Sequence, residues 1–456
     1  MTHSNEIPFL TGAPFAPVVR FALPVAATGI LQLLFNAADI IVVGRFAGND
    51  CLAAVGATTS LISLLISAFM GVSVGVNILT ARLLGSGQTE RAAAAAHCAL
   101  SLGAMLGLAV LLVGQTLAAP LLRAMRTPEA LLPLSVLYLR IYFFGVPAQL
   151  LYNFAAAILR AQGQTQRPLR FLLVSGTANI VLNLFFVLAL HMGVAGVAIA
   201  TCVSQYLTLA LIARFLFRPG SGLALTLRPR AIRFVPRLAA RMLDLGLPSG
   251  LQSVIFNAAN VLIQSAINSF GAAAIAGNTA ANNLDAFIYT AASALFHTAL
   301  TFTSQNAGAG RYDRLPRIWR ACLLAMLLLV VPLCALTVAF GPQLLALYIS
   351  PADPARDKML ACGMTRLTIL GASYCLSGFM EVNCGMIRGL GRSWLPLIVS
   401  VAGACGLRIL WLYTVFPLRP TLAVLYLCFP VSWLVTGAVH ALCFRFELHK
   451  QQKTAR

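Results

Sequence analysis

Asp39 lies in "LLFNAADIIVVGR", residues 33–45, a single carboxylate inside an apolar run that begins at Phe21. A charge at mid-membrane depth costs roughly 2.5–3.5 kcal/mol on insertion scales, and ionisable groups kept there commonly mark ion or substrate paths. A carboxylate at that depth can take a proton from one face and deliver it to the other, or lend an oxygen to a cation. The segment "FNAAN" at 256–260 repeats "FNAAD" at 35–39, with the acid replaced by the amide Asn260. An amide would serve helix packing at lower cost than an acid, so Asp39 is the first candidate for a coupling residue.

Other polar groups fall inside apolar stretches. Glu381, in "GFMEVNCGMIRG", reads either as a second proton or cation site or as the partner of Arg366 or Arg408 in a buried salt bridge. Asp285, in "ANNLDAF", reads as a coupling acid or as an inter-helix hydrogen-bond partner of nearby asparagines. Arg140 and Arg408 either snorkel to an interface or neutralise the acids, and His297 reads as a satisfied interior histidine. Asn179 and Asn183 are four residues apart and so share one helix face; Thr201 and Gln205 repeat that spacing. With Asp39, the set Asn179, Asn183 and Thr201 could offer hard oxygens to sodium or form a hydrogen-bonded network around a protonated acid. The amides Asn36, Asn257, Asn260, Gln264 and Asn283, with Gln205, are candidates for lining a substrate cleft. A large apolar cleft with few acids suits amphiphilic organic cations.

The elements that must position these groups are membrane helices. Of 456 residues, 59% are hydrophobic and 10% charged, against about 25% charged in soluble domains. Twelve apolar spans lie near 21–43, 52–82, 92–118, 131–159, 168–190, 194–216, 245–269, 272–304, 318–348, 361–387, 396–416 and 421–444. Each is long enough for a bilayer core that needs about 20 helical residues. The first twenty residues lack the basic start and short apolar core of a cleavable signal peptide, so none is expected. The net charge of +20 follows the positive-inside pattern rather than a nucleic-acid footprint. With the N-terminus inside, Arg20, Arg82, Arg91, Arg160, Arg167, the Arg-rich loop 218–241, Arg311, Arg392 and Lys450 share the cytoplasmic side, while Arg45, Arg123, Arg356 and Arg419 lie outside. Both termini are then cytoplasmic, nucleic-acid binding is not expected, and the basic surface meets anionic lipid. The 11 cysteines are scattered, mostly within spans, and read as small packing residues.

The repeat extends along the chain. At a shift of 221 residues "FNAAD" meets "FNAAN" and Gly56 meets Gly277; at 223, "GSGQTER" (85–91) meets "GAGRYDR" (308–314). At 228, "LRAQGQTQRP" (159–168) meets "IRGLGRSWLP" (387–396). An even number of spans per half means both halves enter the membrane in the same direction, as parallel repeats. The expected fold is an all-α polytopic membrane protein, with twelve transmembrane helices in two parallel-repeat six-helix bundles around a central cleft. The expected domains are an N-terminal lobe at 1–217, a cytoplasmic basic linker at 218–241 and a C-terminal lobe at 242–456.

The stretches "ADIIVVGRFAGNDCLAAVGATTSL", "RLLGSGQTER", "ILRAQGQTQRP", "GVAGVAIATCVSQ", "TSQNAGAGRYDR" and "MIRGLGRSWLP" together resemble the multidrug and toxic-compound extrusion (MATE) family, over residues 20 to 445. The resemblance implies export of cationic, often polyaromatic, compounds driven by inward proton or sodium flow, with no bound cofactor. It places Asp39 at the family's coupling aspartate in the first helix, and Asn179, Asn183 and Thr201 at polar positions that serve a cation site in some members. Asn183 departs from relatives that carry an aspartate there, and the seventh span has Gln252, Asn257, Asn260, Gln264 and Asn268 where others have an acid. The balance favours protons over sodium. The composition suggests a bacterial inner membrane, and a monomer is expected. A lipid-linked glycan flippase is the alternative, with Arg140, Arg366 and Arg408 as candidate headgroup ligands. A non-transporting scaffold or receptor gives no reason for parallel halves and buried acids. An enzyme finds no nucleophile–base cluster, metal spacing or strand-borne phosphate loop.

Overall fold

The computed structural model describes residues 9–125, 127–220, 222–225, 227–351 and 353–454. The two chain ends, whose side of the membrane the charge pattern assigns, lie outside this range. Helices hold most of the described residues and no strand occurs among them, as backbone in a bilayer requires when it must satisfy its hydrogen bonds internally. The helices are α1 (Phe15–Val42), α2 (Asn49–Gly85), α3 (Thr89–Ala124), α4 (Leu132–Ala161), α5 (Gln166–Leu184), α6 (Gly193–Leu216) and α7 (Pro236–Asn268). They continue with α8 (Ala272–Gly308), α9 (Leu315–Ala339), the short α10 (Gly341–Ala346), α11 (Arg356–Gly389), α12 (Trp394–Ser400), α13 (Leu407–Thr414) and α14 (Leu422–Thr454). A π-helical turn, Val401–Gly406, joins α12 to α13 into one run, and similar turns at Val43–Ala47 and Phe185–Ala189 extend α1 and α5.

Eleven of these runs are long and apolar enough to span a membrane. The exception among the twelve expected is α8, which is long but interrupted by Asn278, Asn282, Asn283, Asp285 and His297. Most of its polar groups are buried in protein, among them Asn278, Asp285, Thr298, Thr301, Ser304 and Asn306, while Asn282 and Asn283 are exposed. Internal prolines occur in α1, α3, α4, α7, α9 and α14, which membrane helices tolerate when neighbours satisfy the freed groups.

The repeat reappears in the turns. Glycines with positive φ precede α2 and α8 (Gly48, 92°; Gly271, 88°) and close the turns after α2 and α8 (Gly87, 72°; Gly310, 70°). The pair Gly163 (81°) and Gly391 (82°) does the same after α4 and α11. That conformation is free only for glycine.

The chain divides into two units: one spans 27–250, the other 7–26 with 251–456. In the first, α4 packs against α2, α3 and α6, and α5 against α6, around a core that includes Val43, Ala54, Leu122, Leu139, Phe143, Leu150 and Val197. Gly71 and Gly75 of α2 lie against Gly250, Gly246 and Met242 of α7 so closely that a Cβ on either would overlap backbone. The stretch after α6 is bound rather than loose. Leu225 and Leu227 are buried, the Leu225 N–H donates to Gln162 Oε1 at 3.0 Å, and the Arg228 N–H donates to His97 Nε2 at 3.0 Å. Cys98 exchanges contacts with the Val235 backbone at 3.4 Å.

In the second unit, α11 packs against α8, α9 and α14. Its core gathers α8, α9, α11 and α14 with the start of the chain, where Phe9, Phe21 and Phe302 meet ring to ring. Asn306 donates to the Phe9 carbonyl at 3.2 Å, and the Arg314 guanidinium donates to the carbonyls of Thr11 and Gly12.

Candidate functional site

A cavity of about 120 Å³ lies inside the first unit, and four helices build it. From α1 come Gln32, Asn36 and Asp39, at helical spacing; from α4 come Gln149 and Tyr152. From α5 come Ser175 and Asn179, and from α6 Thr201, Ser204, Gln205 and Thr208, again at three- and four-residue intervals. Gly176 of α5 lets the Phe35 ring close over the wall, since a Cβ there would collide with that ring. Most of the lining residues thus carry an amide or a hydroxyl, and one carries a carboxylate, although apolar atoms make up more of the surface.

Asp39 is half-buried, and Asn183, fully buried on α5, donates its Nδ2 to Asp39 Oδ1 at 2.5 Å. The same Nδ2 faces Asn179 Oδ1 at 3.3 Å. Thr201, in the lining, donates its hydroxyl to the Val197 carbonyl at 3.0 Å. The structure thus brings together Asp39, Asn179, Asn183 and Thr201, and with them Asn36 and Gln205 of the expected cleft set. Gln32, Gln149, Ser175, Ser204 and Thr208 also line the cavity and were not among the expected residues. Gln32 stands four residues before Asn36, and Ser204 and Thr208 extend the Thr201–Gln205 face, so the periodicity of α1 and α6 could have found them.

The remaining expected residues belong to the second unit and form a different constellation. Arg366 Nε donates to Asp285 Oδ2 at 2.7 Å, both side chains buried. The same guanidinium donates to Asn278 Oδ1 at 2.7 Å and Asn282 Oδ1 at 3.0 Å. Tyr426 also donates to Asn278 Oδ1, and Asn278 Nδ2 donates to Gln264 Oε1, both at 3.0 Å. Gln264 is thereby tied into this network, and it also donates to Asn268 at 2.9 Å. Arg366 is the partner of Asp285 and not of Glu381. Glu381 is buried on α11 and has no ion pair among the described residues. Asn257 and Asn283 are exposed. Asn260 accepts from Arg408 Nη1 at 3.3 Å. Arg140 is exposed, whereas Arg408 is buried and neither snorkels nor meets an acid within 4.0 Å among the described residues.

A helical bundle that occurs twice in the chain, with amides, hydroxyls and one carboxylate gathered among apolar helices, is the architecture of a polytopic membrane protein. The MatE family model matches residues 24–185 and again 248–414. The chain belongs to the MatE family, whose members are transporters and not enzymes. It is 27% identical over 395 residues to the probable multidrug resistance protein YoeA of Bacillus subtilis, covering 85% of this chain and 84% of that one. It is likewise 27% identical over 406 residues to YpnP of the same organism, also a probable multidrug resistance protein, with 88% of each chain covered. The fold superposes on an outward-facing multidrug resistance MATE transporter of the MOP superfamily with a TM-score of 0.90 at 22% identity, over 99% of this chain and all of that one.

Proposed function

We propose that the chain is a secondary active multidrug efflux antiporter that exports organic cations in exchange for protons by alternating access. It works as a monomer in the cell inner membrane with both termini cytoplasmic. Support for the efflux reading comes from the relatives, whose names are those of multidrug resistance proteins. Support for the coupling reading comes from one observation: Asp39, the one acid of the polar cavity lining, is held at the wall by a fully buried amide donor. Protonation of Asp39 exchanges a charged wall for a neutral one, so a cationic solute and a proton compete for the same carboxylate. Glu381 is the candidate for a second proton site.

Sodium is the alternative coupling ion at Asp39, Asn179, Asn183 and Thr201. The proton reading is preferred because the set carries one formal charge, and because Asn183 presents N–H, not oxygen, to both Asp39 and Asn179. Hard cations are held by converging oxygens. The flippase reading needs several free cations along a headgroup path. Of its three arginines, Arg366 is neutralised by Asp285, which leaves Arg140 and Arg408.

The test is export of a fluorescent cationic dye from vesicles reconstituted with the wild type or with Asp39→Asn. One arm applies a pH gradient without sodium, the other a sodium gradient at equal pH. Export on the pH gradient that disappears in Asp39→Asn is the expected result. Export only on the sodium gradient overturns proton coupling, and export unchanged in the variant moves coupling to another acid.

A further inference from the structure

Arg408 sits in α13, within the Trp394–Leu418 membrane run, and is 4% exposed. Its Nε donates to Ser432 Oγ at 3.1 Å and its Nη1 to Asn260 Oδ1 at 3.3 Å. The guanidinium carbon lies 4.2 Å from the ring centre of Phe429 and 5.9 Å from that of Trp433. Every one of these partners is neutral. Arg366, by contrast, has Asp285 at 2.7 Å. Nη2 of Arg408 has no hydrogen-bond partner among the described residues, and Asn260 beside it is exposed. A desolvated cation without a counter-charge is unfavourable, and an aromatic face or neutral acceptors offset only part of that penalty.

The repeat sharpens this. Asn260 occupies the position that Asp39 holds in the first half. In the first unit the acid of the first span meets an amide, Asn183, of the fifth. In the second unit an amide of the first span meets a cation of the fifth. The two halves thus carry the same inter-helix contact with the sign of its charge reversed.

We propose that Arg408, with Asn260, is a recognition site for the carboxylate of an anionic or zwitterionic solute. Once Asn260 releases Nη1, the planar guanidinium on Phe429 would offer its Nη edge to two oxygens of one oxyanion, the geometry for which arginine is suited and lysine is not. Asn260 then turns its amide N–H toward the bound carboxylate. The proposal takes from the functional reading above that the chain handles small molecules, and it adds a solute class that a cation-only reading leaves out. Because its test is equilibrium binding without any gradient, failure of proton coupling would leave its result unchanged.

The probes are rhodamine 110, which carries a free carboxylate, and its methyl ester rhodamine 123, which does not. Binding is read by fluorescence anisotropy on the full chain in nanodiscs. Arg408→Gln is expected to weaken the free acid at least ten-fold and the ester less than two-fold. Asn260→Asp, which sets a carboxylate beside the guanidinium, is expected to weaken the free acid similarly. That variant keeps the proposal falsifiable if Arg408→Gln does not fold. Both dyes changing alike, neither changing, or no binding of the free acid by the wild type overturns the proposal. Lipid phosphate is the other source of an oxyanion, so the series is run in phosphatidylcholine and in phosphatidylglycerol. Equal binding of the free acid in both supports a solute site; binding lost in phosphatidylglycerol assigns Arg408 to lipid and overturns it.

Discussion

Asp285 and Glu381 are both buried acids of the second unit, and they differ in company. Asp285 is gripped by Arg366, which also holds Asn278 and Asn282. Removing one member of a buried pair strands the other charge and costs roughly 3–5 kcal/mol. Asp285→Asn is therefore expected to lower the detergent unfolding temperature, while dye export per folded molecule stays near wild type. Arg366→Met on top of it should recover most of the lost stability. A stable Asp285→Asn protein without export would instead make Asp285 a coupling residue. That pair joins positions 81 residues apart, and no local spacing announces it. The face shared by Asn179 and Asn183, and that shared by Thr201 and Gln205, was legible because a helix repeats every three to four residues. Which acid those faces meet depends on α1 packing beside α5, a contact spanning 144 residues.

At the scale of elements, the apolar runs were readable because each must fill the hydrocarbon thickness. α8 was readable too, but most of its polar residues are buried in protein, with α11 and α9 as its neighbours. The π-helical turns at Phe185–Ala189 and Val401–Gly406 left no mark in the sequence. Each changes the helix register (an extra residue in one turn), so faces drawn at uniform spacing drift beyond it. Helix crossings rest on small residues, as expected where backbones approach closely in lipid. Gly71 is the clearest case, since its added Cβ would overlap the Gly250 backbone and not a flexible side chain. Gly71→Val should cost roughly 1–3 kcal/mol by overpacking, seen as a lower unfolding temperature. Gly56→Ala, where a Cβ meets open space, should leave it unchanged.

For the molecule as a whole, parallel halves and basic loops make a topological prediction. Five spans separate Gly222 from Arg419, so thiols introduced by Gly222→Cys and Arg419→Cys should react with a membrane-impermeant maleimide from opposite faces. Labelling of both from one face would remove a span from the count. The stretch between the halves has a consequence for how the protein is made. Its anchors, His97, Cys98 and Gln162, all precede it in the chain, so the ribosome has already delivered them when the strap emerges. Residues 9–12 face the opposite situation. Phe9 waits for Phe302 and Asn306, and Thr11 and Gly12 wait for Arg314, residues synthesised some three hundred positions later. The first unit and its strap can be completed during translation. Residues 9–12 find their place only once these partners of the second unit have been made, so a deletion over residues 9–14 injures a unit whose other helices are synthesised after them.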